Sequence, residues 1–152
     1  MPTSNITAVH QASVAIGGAA VFAATKTVLA TETIKLDELV DQDHSGLFFN
    51  FNIPDINLVQ ALFIKNDGPD SADLVCKPTA PYMPYGSATR LAKDDVIHMT
   101  GEMARKYLLA WIGYIVGAPM PSPPSIESFG IAVASGSLTA TCRVKMYVEL
   151  VG

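Results

Sequence analysis

Charged residues make up only 16% of this 152-residue chain, against about 25% in an ordinary soluble domain, and none precedes Lys26. A chain so short of charge has either an exterior of Ser, Thr and Asn or one partly covered by other subunits, and the second fits an assembly component. Its ten Lys and Arg residues are dispersed and the net charge is −4, so there is no basic stripe for nucleic acid. The two cysteines, Cys76 and Cys142, match no metal or redox spacing. Cys142 reads as a small core hydrophobe, and a disulfide between the two stays open. The neutral stretch over residues 12–24, ASVAIGGAAVFAA, has 13 residues, where a membrane helix needs about 20. It has no Lys or Arg ahead of it to make a secretory signal. An unexported product of the cytoplasm, with no membrane partner, is expected.

The chain does have alternation. Leu138, Ala140, Cys142, Val144, Met146, Val148 and Leu150 interleave with Thr139, Thr141, Arg143, Lys145, Tyr147 and Glu149. A period of two over residues 138–150 predicts a strand with one buried face, since a helix would scatter those apolar side chains around its circumference. The same period places Leu47, Phe49, Phe51 and Ile53 on one face, with Phe48, Asn50 and Asn52 on the other. Residues 59–65 are apolar on both faces, as a central strand is. Residues 27–36, 74–77, 94–100 and 129–134 read as further strands, residues 36–40 as a short turn and Asn66-Asp67-Gly68-Pro69 as a strong one. Ser135-Gly136 is expected to turn the chain from one strand into the last as a hairpin. For residues 106–116, KYLLAWIGYIV, β-branched and aromatic content favours a buried strand over a helix lined by Met103, Tyr107, Trp111 and Ile115.

Two segments, residues 78–86 and 118–125, hold three and four prolines and read as stiff loops. Residues 1–24 carry no charge and no clear period, and Gly17-Gly18 argues against a helix. They are read as an N-terminal arm or edge strand attached to a sandwich over residues 25–152. About eight short strands without a repeat define the fold class as all-β, an antiparallel β-sandwich or jelly roll with an extended arm.

Candidate chemistry is sparse. Asp41, Asp43, Ser45 and Gly46 match the first half of a calcium loop, yet position twelve is Asn52 rather than the closing Glu. The segment is therefore read as a solvated acidic turn, with a weak calcium candidate in Asp41, Asp43 and Ser45. The histidines His10, His44 and His98 form no ligand pair, and no G-x-S-x-G elbow is present. The pairs Asp94/Asp95 and Asp70/Asp73 are not placed as an acid and base facing one cleft. No catalytic residue, cofactor, metal or small-molecule substrate is expected. The contact candidates are Val14, Ile16, Val21 and Phe22 on the arm and Tyr82, Met83, Tyr85 and Met120 in the proline loops, the aromatic and Met side chains that interfaces favour.

The segments MPTSNITAV, HSGLFFNFNI, VQALFIKNDG, KYLLAWIGYIV and LTATCRVKMYVELV together resemble the small capsid decoration, or cement, proteins of tailed bacteriophages. The resemblance is one of overall pattern, without a diagnostic motif that fixes a site residue. It implies a non-enzymatic virion protein that clamps neighbouring capsid or other virion subunits, as a homo-oligomer. The rival expectations are a carbohydrate-binding or host-recognition sandwich using Tyr82, Tyr85 or Trp111 as sugar platforms, and a small enzyme, which would require a cleft gathering His98 or Asp94 with a second polar group.

Overall fold

Each alternating segment has one face to hide, and two sheets hide each other's. The computed structural model describes residues 6–30, 32–79, 88–112 and 123–151. Among them the elements are β1 (Ile6–Ile16), β2 (Ala19–Ala30), β3 (Glu32–Val40), β4 (Leu47–Ile53), β5 (Val59–Asn66), β6 (Ala72–Pro78), β7 (Thr89–Leu91), β8 (Val96–Thr100), α1 (Gly101–Trp111), β9 (Ile126–Val133) and β10 (Cys142–Leu150). Strands β3 to β10 form two antiparallel four-stranded sheets, ordered β3-β10-β5-β8 and β4-β9-β6-β7. Successive strands mostly cross from one sheet to the other, which is the double-sheet jelly-roll arrangement. The fold is the all-β antiparallel sandwich that the alternation predicted.

The core lies between the sheets. Phe51, Leu74, Phe129 and Ile131 come from one side, and Leu62, Ile64, Val144, Met146 and Val148 from the other. Strand β10 buries Cys142, Val144, Met146, Val148 and Leu150 while Arg143 stays exposed, and Glu149, which the alternation puts on the opposite face, is buried as well at 1%. The doubly apolar β5 is central, between β10 and β8. One buried amide joins two turns. Asn66 donates through Nδ2 to the carbonyls of Asp70 and Leu91, at 2.8 and 2.9 Å, and its Oδ1 accepts the Gly68 N–H at 3.1 Å. With those partners its full burial carries no unsatisfied group.

Several expectations are corrected. The last strand begins at Cys142 rather than 138; a turn holds residues 137–140, with the Ala140 N–H bonded to the Ser137 carbonyl, and Leu138 is 90% exposed. Strand β9 does not form a hairpin with β10: it pairs with β4 and β6, and the chain crosses to the other sheet. The strand expected over 27–36 is parts of two, β2 and β3, and the turn expected at 36–40 is the second half of β3. Of the strand favoured over 106–116, residues 106–111 are instead the end of α1, and residues 113–116 lie outside the described residues. The sequence of the first turns, Gly101-Glu102-Met103-Ala104-Arg105, is rich in helix formers. Ala104, Leu108 and Trp111, spaced by four and three, supply its single buried stripe, whereas Met103 is exposed. Arg105 fixes the helix to β5 by donating to the Val59 carbonyl at 2.9 Å.

Candidate functional site

The N-terminal segment, uncharged through Thr25 and carrying Lys26, is a two-stranded ribbon. β1 and β2 pair antiparallel from Ile6↔Ala30 to Ile16↔Ala19. The two-residue turn Gly17-Gly18 has φ of 60° and 83°, the left-handed pair that a tight hairpin requires and that glycine adopts without strain. Every residue from 13 to 25 is exposed. Side chains alternate across a ribbon, so neither face of this part of the arm is covered. Val14, Ile16, Val21 and Phe22, singled out from the sequence, are 52%, 69%, 58% and 55% exposed, and Val9 joins them. This explains the missing period: alternation records one wet and one dry face, and residues 13–25 have no dry one. The other four contact candidates, Tyr82, Met83, Tyr85 and Met120, and most of both proline-rich loops lie outside the described residues.

A second apolar surface was not anticipated. On β4, β9 and β6 the positions alternating with the core residues Phe49, Phe129 and Cys76 are Phe48, Gly130 and Val75, which are register partners. Together with Asp73, Ala88 and Ala132 they line an open groove of about 460 Å³ on the outer face of that sheet. Gly130 has no side chain to fill the groove, and the Phe48 ring lies over it: a Cβ there would meet the ring at 3.1 Å. The signal was legible, because the alternation in LFFNFNI puts Phe48 on the wet face and the wet phase of β9 is Gly130 and Ala132. The one ionised side chain named in that lining, Asp73, is held bidentately by Arg90 at 2.9 and 3.0 Å, which keeps its carboxyl below the usual carboxylate range.

The polar candidates serve local structure. Asp41 caps a short 3-10 turn at Gln42–His44: its Oδ1 accepts the His44 N–H at 3.0 Å and lies 2.6 Å from the His44 Nδ1. Ser45 Oγ accepts the Val133 N–H at 2.9 Å. Among the described residues no three His, Cys, Asp or Glu side chains converge as a metal group. Asp70 accepts the Thr141 N–H, and Asp95 accepts the Ala92 N–H in a turn ahead of β8, so the strand expected over 94–100 begins only at Val96. His98 packs beside Phe63 at 5.5 Å between ring centroids. Both cysteines are buried free thiols. Burial pushes the Cys76 thiol up, and burial with the charges of Asp70 and Asp73 pushes Cys142 to about 11, so neither is a thiolate nucleophile at neutral pH. Trp111 is only 6% exposed, packed on Tyr107 and Phe129, and it presents no platform to a sugar ring.

The His44–Asp41 pair gives a measurable pH signature. The hydrogen bond that the His44 Nδ1–H donates to Asp41 raises the His44 pKa above its ordinary 6.5, and the same bond lowers that of Asp41 below 3.8. The histidine's contribution to stability is complete below pH 6.5 and is lost as pH rises through the raised folded value. The aspartate's is complete above 3.8 and is lost as pH falls through the lowered one. NMR titration is expected to place His44 above 6.5, and Asp41→Asn to return it toward that value. An unchanged midpoint would show that the pair does not form.

No protein family, no curated protein and no solved structure matches the chain.

Proposed function

We propose that this chain is a non-enzymatic structural protein of a virion, which binds and stabilises a capsid lattice through its apolar arm and its Pro/Tyr loops. The observation that carries this reading is the neutral ribbon, exposed from residue 13 to residue 25. A two-stranded hairpin is marginal alone in water, and large uncovered apolar surface marks an interaction site. Burying Val14, Ile16, Val21 and Phe22 against a neighbour stabilises the contact by about 25 cal/mol per Å² removed from water. Repetition over a lattice multiplies that through avidity. The jelly roll is an architecture of viral capsid and lectin domains alike, and fold alone does not choose between them. The buried Trp111 weighs against the carbohydrate reading.

The test is composition of particles. In particles purified from cells that encode the chain, it is expected in many copies per capsid by quantitative mass spectrometry. A variant lacking residues 1–30 is expected to keep a cooperative melt and buried tryptophan emission while disappearing from the particle fraction. Truncated protein that still co-purifies with particles, or full-length protein absent from them, would sink the proposal.

A further inference from the structure

Resting on the assembly reading, we infer that the arm's occupant site is the groove on the outer face of the β4-β9-β6-β7 sheet of a second copy of this chain. Arm and groove match in chemistry. The arm has no charged residue through Thr25, and the groove's Asp73 is already neutralised by Arg90. Phe48, Val75, Gly130 and Ala132 therefore present an apolar floor with no unpaired charge to strand against Val14 or Phe22. In size, a groove of about 460 Å³ takes the exposed cross-strand pair Val14 and Phe22 near the tip of the ribbon and not its whole length. Finally, they lie on different sides of the body. β2 packs against β5, a member of the other sheet, whereas the groove opens on the face of β4, β9 and β6 that points away from that sheet. An arm leaving one sheet and a receptor on the far side of the other make a head-to-tail contact, which closes into rings or extends as an open array. Copies linked this way would form closed rings or continuous rows over a lattice instead of isolated studs.

The experiment is light scattering on the purified full-length chain, with an arm variant, Phe22→Asp, and a groove variant, Val75→Glu. Wild type is expected to exceed the single-chain mass of 16.1 kDa as concentration rises. Each variant alone is expected at that mass, with unchanged circular dichroism and melting. Mixing the two is expected to restore a two-chain species, because the groove variant still has an arm and the arm variant still has a groove. If Val75→Glu does not fold, Ala132→Glu replaces it on the same floor. A groove variant that associates like wild type, the mark of arm-to-arm pairing, overturns the inference, and so does a mixture in which both stay single. A wild type that stays at the single-chain mass while residues 1–30 are still needed for particle binding overturns this inference and leaves the assembly reading standing.

Discussion

Phe129→Ala is expected to lower stability by about 3–5 kcal/mol, the range for deleting a buried ring. Phe129 has no exposed surface and lies at the meeting point of two other rings. Phe51 is edge-on at 5.4 Å between centroids and Trp111 is tilted at 5.2 Å. Its strand, β9, is central in its sheet, between β4 and β6, so the backbone is held on both sides and has little freedom to collapse into the void. The cost therefore combines lost transfer energy with a residual cavity. Against a typical domain stability of about 5–15 kcal/mol, the variant should sit close to unfolding at ordinary temperature. Urea titration followed by Trp111 emission reads both consequences, a lower midpoint and a red-shifted native spectrum as water reaches the indole. Phe129→Leu, which keeps most of the volume, should recover a large part of the loss. A destabilisation of Phe129→Ala below about 1.5 kcal/mol, under the usual range, would mean that α1 does not close the core as described.

Gly68→Ala should also be severe, for a different reason. A Cβ at Gly68 would stand 2.3 Å from the Arg143 nitrogen and 2.7 Å from the Cys142 Cα and carbonyl carbon. These are backbone atoms of β10, which is paired on one side with β3 and on the other with β5, so no rotamer change relieves the clash. The turn is also tied to that strand through Asp67 N–H to the Arg143 carbonyl at 2.7 Å and Asp70 N–H to the Thr141 carbonyl at 3.0 Å. Relief requires breaking those bonds, so a loss at or beyond the upper end of the roughly 1–3 kcal/mol typical of overpacking is expected. Gly136→Ala is the matched control: nothing lies within 4 Å of its Cβ position, and its effect should stay within about 0.5 kcal/mol. Equal melting of the two variants would contradict the close approach of the turn to β10.

Legibility in the sequence followed the number of faces each segment buries. β10 and β4 were readable because each turns its apolar phase to the core, although Leu47 at the start of β4 is half exposed and Glu149 on the other face of β10 is buried too. The central position of β5 was readable because both its faces were apolar. α1 was misread because the apolar run KYLLAWIGYIV starts midway along the helix and the helix-forming residues lie before it. The continuation of alternation through Leu138 and Ala140 misled because periodicity has no means of marking a turn whose residues happen to keep phase. Of the contact candidates, the arm residues were singled out by their lack of charge, and the structure shows them exposed. The groove was passed over because its members, Phe48, Val75 and Gly130, come from three segments that lie far apart along the chain.

What the sequence determined by itself is local: the all-β class, the faces of the alternating strands, the turn at Asn66–Pro69 and the neutrality of the arm, each set by side-chain order over a few residues. The tertiary structure alone decided which strands share a sheet, that β9 and β10 part company across the sandwich, and that Phe48, Val75 and Gly130 meet in one groove. Those outcomes depend on contacts between residues tens of positions apart, whose free energy arises only when the two sheets close over a common core, and no window along the chain contains them.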